Sequence, residues 1–121
     1  MNDQLDALVN RYRRSPEFMF ADLTHVNARG MSGDTLLHAA VVRGKLEDVN
    51  LLIASGADVN AVGDLGNTPL HYAASRELTD IAHKLVSADA NLKTVNEFGE
   101  TPADVAAVMG HSALSAFLKS K

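Results

Sequence analysis

Apolar residues recur at helical spacing in short segments along the chain, and the segments come in pairs. The first segment, in residues 3–14, places four apolar side chains at positions i, i+3, i+4 and i+7, the pattern of a short amphipathic helix. These side chains are Leu5, Leu8, Val9 and Tyr12. Further pairs of apolar segments follow Thr35, Thr68 and Thr101. The pattern predicts an all-α chain built from pairs of short helices.

The three threonines stand at a constant spacing of 33 residues, and the residues around them repeat as well. A glycine precedes each threonine by two positions. Residues 25–28 (HVNA) return as residues 58–61 (DVNA), again 33 positions later. A fixed period of this size indicates stacked structural repeats. Residues 1–30 are in phase with the period but lack its opening motif, so we expect a degenerate capping repeat there.

Turn and capping residues predict where the helices begin and end. Each threonine is expected to be an N-cap, and Gly44 and Gly56 are expected to end the two helices of the first repeat. The second repeat has Glu77 and Asp89 at the corresponding positions. A left-handed backbone at such a residue costs roughly 1 kcal/mol relative to glycine. The second repeat therefore has the less favourable turns.

The segment after the first helix is expected to start another one. Ser15 is followed by a proline and a glutamate, which predicts a helix with Ser15 as its N-cap. The apolar residues of this segment, Phe18, Met19 and Leu23, are expected to be buried against the first helix.

Two stretches of the sequence resemble the signature stretches of the ankyrin repeat, and the 33-residue period agrees. They are residues 68–74 (TPLHYAA) and 55–61 (SGADVNA). The resemblance implies one all-α ankyrin-repeat solenoid over residues 1–121, with three 33-residue repeats of paired helices, short hairpin loops and a degenerate N-terminal capping helix pair. Its expected parts are the N-terminal cap (1–30), repeat 1 (31–63), repeat 2 (64–96) and a C-terminal capping repeat (97–121). The resemblance also gives His38 and His71 a structural role, fixing backbone groups near the repeat turn.

Composition excludes several classes of function. The chain of 121 residues has 46% hydrophobic residues, no cysteine and a net charge of −4. Its 11 Lys and Arg residues are scattered and do not form the basic surface that nucleic acid requires. The lack of cysteine excludes disulfides and thiolate sites. No apolar run approaches the roughly 18 residues of a membrane span, and the N-terminus lacks the pattern of a secretory signal. We therefore expect a soluble, cytoplasmic protein that binds neither nucleic acid nor membrane.

No arrangement of residues indicates catalysis. Asp80 and His83 share a predicted helix face, but zinc takes about four convergent ligands. The serines lack the motif of a nucleophile elbow, and no phosphate-binding glycine loop is followed by lysine. We expect no enzyme activity, no cofactor and no metal.

The resemblance implies that a partner protein is bound by the hairpin tips and by the ends of the first helices, which line a groove. The expected partner-binding residues at the tips are Arg29, Met31, Ser32, Asp34, Val62, Asp64, Leu65, Asn67, Val95, Glu97, Phe98 and Glu100. Those at the helix ends are Val42, Arg43, Ser75, Arg76, Val108 and Met109. None of these positions is expected to be needed for the fold, so their composition should reflect a partner.

The composition of these positions is that of an interface. Met31, Leu65 and Phe98 place apolar side chains on successive tips, and aromatic, Met and Arg residues are enriched in interface cores. The acidic tip residues would give a negative rim that suits a partner with a basic surface. These are Asp34, Asp64, Glu97 and Glu100. The alternative is that Leu65 and Phe98 fold under the adjacent tip and stabilise the stack.

These observations favour a non-enzymatic protein-binding module that covers a partner protein and so inhibits or neutralises it. An immunity protein that blocks a bacterial toxin is one concrete form of this hypothesis. We expect the chain to be a monomer on its own. The alternative is a self-associating or purely structural, scaffolding repeat module that uses the apolar tips against a second copy. An enzyme or metal protein is a third hypothesis.

Overall fold

Seven short α-helices make up most of the regular structure in the computed structural model, which describes residues 3–121. They are α1 (Asp3–Arg13), α2 (Leu36–Val42), α3 (Leu46–Ala54), α4 (Pro69–Ser75), α5 (Thr79–Ser87), α6 (Pro102–Val108) and α7 (Ser112–Lys119). Single 3-10 turns lie at Pro16–Phe18 and Asp64–Gly66. Residues 1 and 2, where the predicted N-terminal cap begins, lie outside the described range. Residues 3–121 contain no β-strand, and the predicted all-α solenoid of paired helices is confirmed.

Helices α2, α4 and α6 begin at the predicted threonines because each threonine closes a capping box. The hydroxyl oxygen of Thr35 accepts a hydrogen bond from the backbone N–H of His38 at 3.4 Å. In return, Nδ1 of His38 accepts one from the backbone N–H of Thr35 at 3.1 Å. Thr68 repeats this arrangement, and in the third repeat Asp104 takes the place of the histidine. Each box satisfies backbone donors that a helix start otherwise leaves unpaired.

The helices pack in consecutive pairs, and the first helices of the pairs stack on one another. Helix α2 contacts α3, α4 contacts α5 and α6 contacts α7, while α2, α4 and α6 form a row. One continuous apolar core runs through the stack, from Leu5 in α1 to Leu118 in α7. Phe18 and Leu23 belong to it, as predicted. Because each repeat buries its apolar face only against its neighbours, stability depends on the stack as a whole.

The N-terminal cap differs from the prediction in two places. Ser15 does not cap a helix: its hydroxyl donates to the carbonyl oxygen of Tyr12 at 2.7 Å, at the end of α1. The segment that follows is one 3-10 turn, Pro16–Phe18, which buries Phe18 and then leaves the core. Met19, predicted to be buried, is therefore 52% exposed.

A polar cluster joins the cap to the first repeat. Asp48 in α3 is buried and accepts a hydrogen bond from the Tyr12 hydroxyl at 2.8 Å. It accepts two more from the Arg11 guanidinium, at 3.2 and 3.3 Å. Burial raises the pKa of Asp48, but the hydrogen bonds from Arg11 and Tyr12 outweigh this effect and hold the pKa below its ordinary value. The cluster thus holds α1 on α3 with a charged, fully hydrogen-bonded carboxylate.

The turns of the second repeat carry non-glycine residues in left-handed conformations, as the sequence predicted. The φ angle is +55° at Glu77 and +68° at Asp89, where the first repeat has Gly44 at +69° and Gly56 at +94°. A side chain in this region clashes with the backbone. The second repeat therefore holds backbone strain that the first repeat avoids.

Candidate functional site

Three hairpin loops lie side by side along the stack and carry twelve of the predicted partner-binding residues. We call them finger 1 (residues 29–34), finger 2 (62–67) and finger 3 (95–100). The backbone N–H of Glu97 in finger 3 donates to the carbonyl oxygen of Leu65 in finger 2 at 3.0 Å. The backbone N–H of Asp64 in finger 2 donates to the carboxylate of Asp34 in finger 1 at 2.9 Å. The fingers therefore form one continuous surface.

Two small cavities show that the fingers and the helix ends share one face. The cavity beside finger 3 has a volume of about 250 Å³, and the predicted site residues among its walls are Asn67, Ser75, Phe98, Glu100, Val108 and Met109. The cavity beside finger 1 has a volume of about 260 Å³, and the predicted residues there are Ser32, Asp34, Val42 and Arg43. We call the three fingers and these helix ends the finger face. Each cavity thus brings finger residues together with residues at the end of a first helix.

Each finger needs an acceptor for its own backbone N–H groups, and the three fingers obtain it in different ways. In finger 3, Oδ1 of Asn96 accepts from the backbone N–H groups of Phe98 and Glu100 at 3.0 and 3.1 Å. Fingers 1 and 2 have Gly30 and Gly63 at the position of Asn96, 33 residues apart in each case. A glycine has no side chain with which to accept, so the acceptor must come from another segment.

Finger 1 takes its acceptor from the N-terminal cap, and finger 2 takes its acceptor from finger 1. Glu17 accepts from the backbone N–H of Ser32 at 3.1 Å and from its hydroxyl at 2.6 Å. In finger 2, Oδ1 of Asp34 accepts from the backbone N–H of Asp64 at 2.9 Å. A Cβ atom on Gly63 would lie only 2.2 Å from the Asp34 carboxylate, so the glycine makes room for this acceptor. Neither role was predicted from the sequence: the 33-residue spacing shows that Gly30 and Gly63 lack the acceptor that Asn96 supplies, but not which carboxylate replaces it.

Asp34 also holds the tyrosine of the second repeat. The Tyr72 hydroxyl donates to the Asp34 carboxylate at 3.0 and 3.2 Å. Burial, together with the negative charge of Asp34 and this hydrogen bond, raises the pKa of Tyr72 far above its ordinary value. The expectation that none of the predicted partner-binding positions is needed for the fold is wrong for Asp34, because this carboxylate links fingers 1 and 2 to α4.

Several other predicted positions have contacts within the stack. The backbone carbonyls of Asn67 and Glu100 accept from the ring Nε2 atoms of His38 and His71. The carbonyl of Ser75 lies 3.2 Å from Nε2 of His111. These contacts involve the backbone, so the side chains of Asn67, Ser75 and Glu100 remain half-exposed on the finger face.

The three arginines of the finger face all contact other parts of the chain. The Arg29 guanidinium donates to the carbonyl oxygens of Gly33 and Val62 at 2.6 and 2.7 Å. The Arg76 guanidinium donates to the carbonyl of Val42. Arg43 lies over the Tyr12 ring, with its guanidinium carbon 4.0 Å from the ring centroid. Arg43 and Arg76 thus contact the preceding segment of the stack, whereas Arg29 links finger 1 to finger 2.

The apolar residues of the finger face are exposed. Leu65 is 47% exposed and Phe98 is 67% exposed, so neither folds under the adjacent finger. The other exposed apolar members are Met31, Val42, Val62, Val95, Val108 and Met109. Exposed apolar side chains that cluster on one face are typical of an interaction site.

Leu65 is also strained. Its φ angle is +57°, in the left-handed region, where a leucine costs roughly 1 kcal/mol more than glycine. Burial of the side chain does not offset this strain, because nearly half of the side chain is exposed. Strained, exposed residues tend to occur at functional sites.

The acidic residues of fingers 2 and 3 have no ion-pair partner among residues 3–121. The ion pairs in this part of the chain join Arg11 to Asp48 and, when the ring is protonated, His111 to Glu77. Asp64, Glu97 and Glu100 therefore give this half of the finger face an uncompensated negative charge, as the predicted acidic rim requires.

Three of the exposed large apolar residues lie outside the predicted set: Met19, Phe20 and Leu46. Phe20 is 85% exposed and neighbours Met19, in the segment that follows the first 3-10 turn. Within residues 3–121, no group of three or more His, Cys, Asp or Glu side chains could hold a metal ion. None of the helices in this range is long and apolar enough to cross a membrane.

Comparison with known proteins supports the repeat pattern. A family model described as ankyrin repeats (3 copies) matches residues 37–121, which is more than two thirds of the chain. The match begins inside α2 and includes fingers 2 and 3. A comparison with curated proteins gave no match.

Proposed function

The chain belongs to the ankyrin repeat family, whose repeats generally serve as non-enzymatic protein–protein interaction modules, and from this premise we propose that it binds a partner protein through the finger face. We further propose that binding inhibits or neutralises the partner, in the cytoplasm, as an immunity-type antagonist of a toxin would.

The observation that supports this proposal most strongly is the exposure of Leu65 and Phe98. A leucine in a left-handed turn and a phenylalanine on a loop contribute little to the fold when they are 47% and 67% exposed. Leu65 supplies the acceptor of the backbone hydrogen bond between fingers 2 and 3, and Phe98 follows its donor Glu97 in the chain, so the two residues lie on neighbouring parts of the finger face. Apolar area at the centre of an interface supplies much of its binding energy.

The proposed mechanism is occlusion. A standard interface buries roughly 800 Å² on each partner, and three fingers with the adjoining helix ends offer a surface of that order. A partner whose functional surface lies against the finger face would be blocked without any chemical step.

The test is a pair of matched double variants used as bait in the cell extract of the source organism. Leu65→Asp with Phe98→Asp places two charges on the finger face, and aspartate tolerates the left-handed conformation at position 65 better than leucine does. Met19→Asp with Phe20→Asp makes the same change on exposed apolar residues elsewhere. The first variant should fold cooperatively and lose the partner, and the second should retain it.

Three results would contradict the proposal. Capture of the same partner by the Leu65→Asp, Phe98→Asp variant would place binding elsewhere. Loss of cooperative unfolding in that variant would show that the two side chains belong to the core. A concentration-dependent dimer of the native chain, abolished by the same variant, would favour self-association instead.

A further inference from the structure

We propose that the cavity beside finger 3 receives one large apolar side chain from the partner, and that this side chain is flanked in the partner by lysine or arginine. The inference rests on the proposed function and adds the chemistry of the partner segment. It also assigns most of the binding energy to the C-terminal half of the finger face, by which we mean fingers 2 and 3 and the end of α6.

The size of the cavity fits a single side chain. Its volume of about 250 Å³ is below the roughly 300–1,000 Å³ that is usual for small-molecule sites. Its apolar walls come from Tyr72 in α4, Phe98 in finger 3, and Val105, Val108 and Met109 at the end of α6. Val108 is 73% exposed and Met109 is 54% exposed, so this wall has no covering element among residues 3–121.

Hydrogen bonds hold the polar walls of the cavity before any partner arrives. The ring of His71 is held at both nitrogens, by Thr68 on one side and by the Glu100 carbonyl on the other. The Asn96 side chain accepts two backbone N–H groups of finger 3 and donates to Oδ1 of Asn67 at 3.1 Å. A preorganised pocket loses little conformational entropy on binding, which is a property of interface hot spots.

The negative charge around the cavity favours a partner segment that carries positive charge. Glu100 lines the cavity, and Glu97 and Asp64 stand on the two adjoining fingers without an ion-pair partner among residues 3–121. The acidic groups at the other end of the face differ, because Glu17 and Asp34 are used as hydrogen-bond acceptors inside the fold. Complementary charge across an interface favours the right partner and accelerates association. The C-terminal half therefore selects a basic neighbour for the apolar side chain.

The test uses four pools of labelled synthetic peptides, each about 12 residues long, against the full-length chain. The pools combine an apolar or a polar central residue (Leu, Ile, Phe or Met against Ser or Gln) with basic or acidic neighbours. The apolar–basic pool should bind, and raising the NaCl concentration from about 50 to about 500 mM should weaken binding because exposed charges are screened.

Two variants locate the site, and two matched variants control for them. Val108→Ser should weaken binding of the apolar–basic pool at least about tenfold, the effect expected of an anchor contact. Glu97→Gln with Glu100→Gln should weaken it several-fold and reduce its salt dependence. Two control variants remove exposed groups of the same types elsewhere: Phe20→Ser, and Glu47→Gln with Asp80→Asn. They should change neither the affinity for the apolar–basic pool nor its salt dependence. Thermal unfolding confirms that all four variants fold.

The outcomes separate this inference from the proposed function. Binding without preference for basic peptides, binding that survives Val108→Ser, or no binding by any pool overturns the inference about the cavity. A dimer of the native chain that Val108→Ser abolishes also overturns it, with a second copy as the occupant. In any of these cases, capture of a partner that Leu65→Asp with Phe98→Asp abolishes leaves the proposed function in place.

Discussion

Nε2 of His71 donates a hydrogen bond to the backbone carbonyl oxygen of Glu100 at 2.8 Å, across the boundary between the second and third repeats. His38 makes the same bond to Asn67 one repeat earlier, at 2.9 Å. Because Nδ1 of each ring accepts from a threonine N–H, the ring proton must lie on Nε2. A neutral imidazole therefore closes a capping box in its own repeat and holds the finger of the next one.

Stability should fall in mild acid because of these two histidines. Burial lowers the pKa of His38 and of His71 in the folded chain. Below the unfolded pKa of about 6.5, the unfolded chain binds more protons, so the free energy of unfolding decreases as the pH falls and is unaffected by these groups at higher pH. Each histidine contributes a slope of at most about 1.4 kcal/mol per pH unit. Urea unfolding between about pH 7.5 and 5 measures this slope.

The control is a double variant, His38→Gln with His71→Gln. Glutamine can close the capping box without titrating near neutral pH, so the variant should be less stable at pH 7.5 but lose the slope above about pH 5. A slope that persists in the variant would assign the acid sensitivity to other groups. The carboxyl of Asp48, with its lowered pKa, would lose its contribution only below about pH 4.

The link between Asp34 and Tyr72 should be measurable in a double-mutant cycle. Tyr72→Phe removes the hydroxyl donor and should lower the free energy of unfolding by about 1 kcal/mol. Asp34→Ala removes the acceptor of both the Tyr72 hydroxyl and the Asp64 N–H, and should cost about 1–3 kcal/mol. After Asp34→Ala, the change at Tyr72 should have almost no further effect. Additive effects would show that the two groups do not interact in solution.

The stability of the chain should increase when the left-handed residue Asp89 is replaced by glycine. Asp89→Gly relieves the strain at φ +68° and should raise the free energy of unfolding by up to about 1 kcal/mol. Gly56→Ala is the matched opposite change in the first repeat. Apart from Gly56 itself and its two chain neighbours, no atom in residues 3–121 lies within 4 Å of a Cβ at this position, so the cost of about 1 kcal/mol should be purely conformational. If the Asp89→Gly variant and the native chain were equally stable, Asp89 would not be strained.

Leu65 should show opposite effects on stability and binding. Leu65→Gly removes the strain at φ +57° and should leave the chain as stable as before or up to about 1 kcal/mol more stable. The same change removes an apolar side chain from the finger face and should weaken partner binding about tenfold or more. Chemical unfolding and a titration with the captured partner measure the two quantities. A variant with lower stability and unchanged binding would make Leu65 a structural residue.

The helix starts and turns can be predicted from the sequence because the residues that specify them are close together in the chain. Thr35 and Thr68 are N-caps and Glu77 is left-handed, as predicted, since a cap or a turn depends on residues a few positions away. The histidines were interpreted correctly through the family resemblance.

The contacts between segments are less accessible to sequence analysis. The roles of Glu17 and Asp34 depend on which carboxylate is brought near a glycine, from 15 and 30 residues away. Ser15 has the residue type of an N-cap but lies where the end of α1 offers a carbonyl to its hydroxyl. The exposure of Leu65 and Phe98 likewise depends on how closely adjacent fingers pack, which periodicity does not specify.

We propose that the finger face, above all its C-terminal half, binds the partner. Hydrogen–deuterium exchange of the chain alone and in complex with the captured partner tests it most directly. We expect slower exchange for the backbone amides of finger 2, of finger 3 and of residues 108–110, with no change in α5 and α7. Slower exchange confined to α3, α5 and α7, with fingers 2 and 3 unchanged, would contradict it.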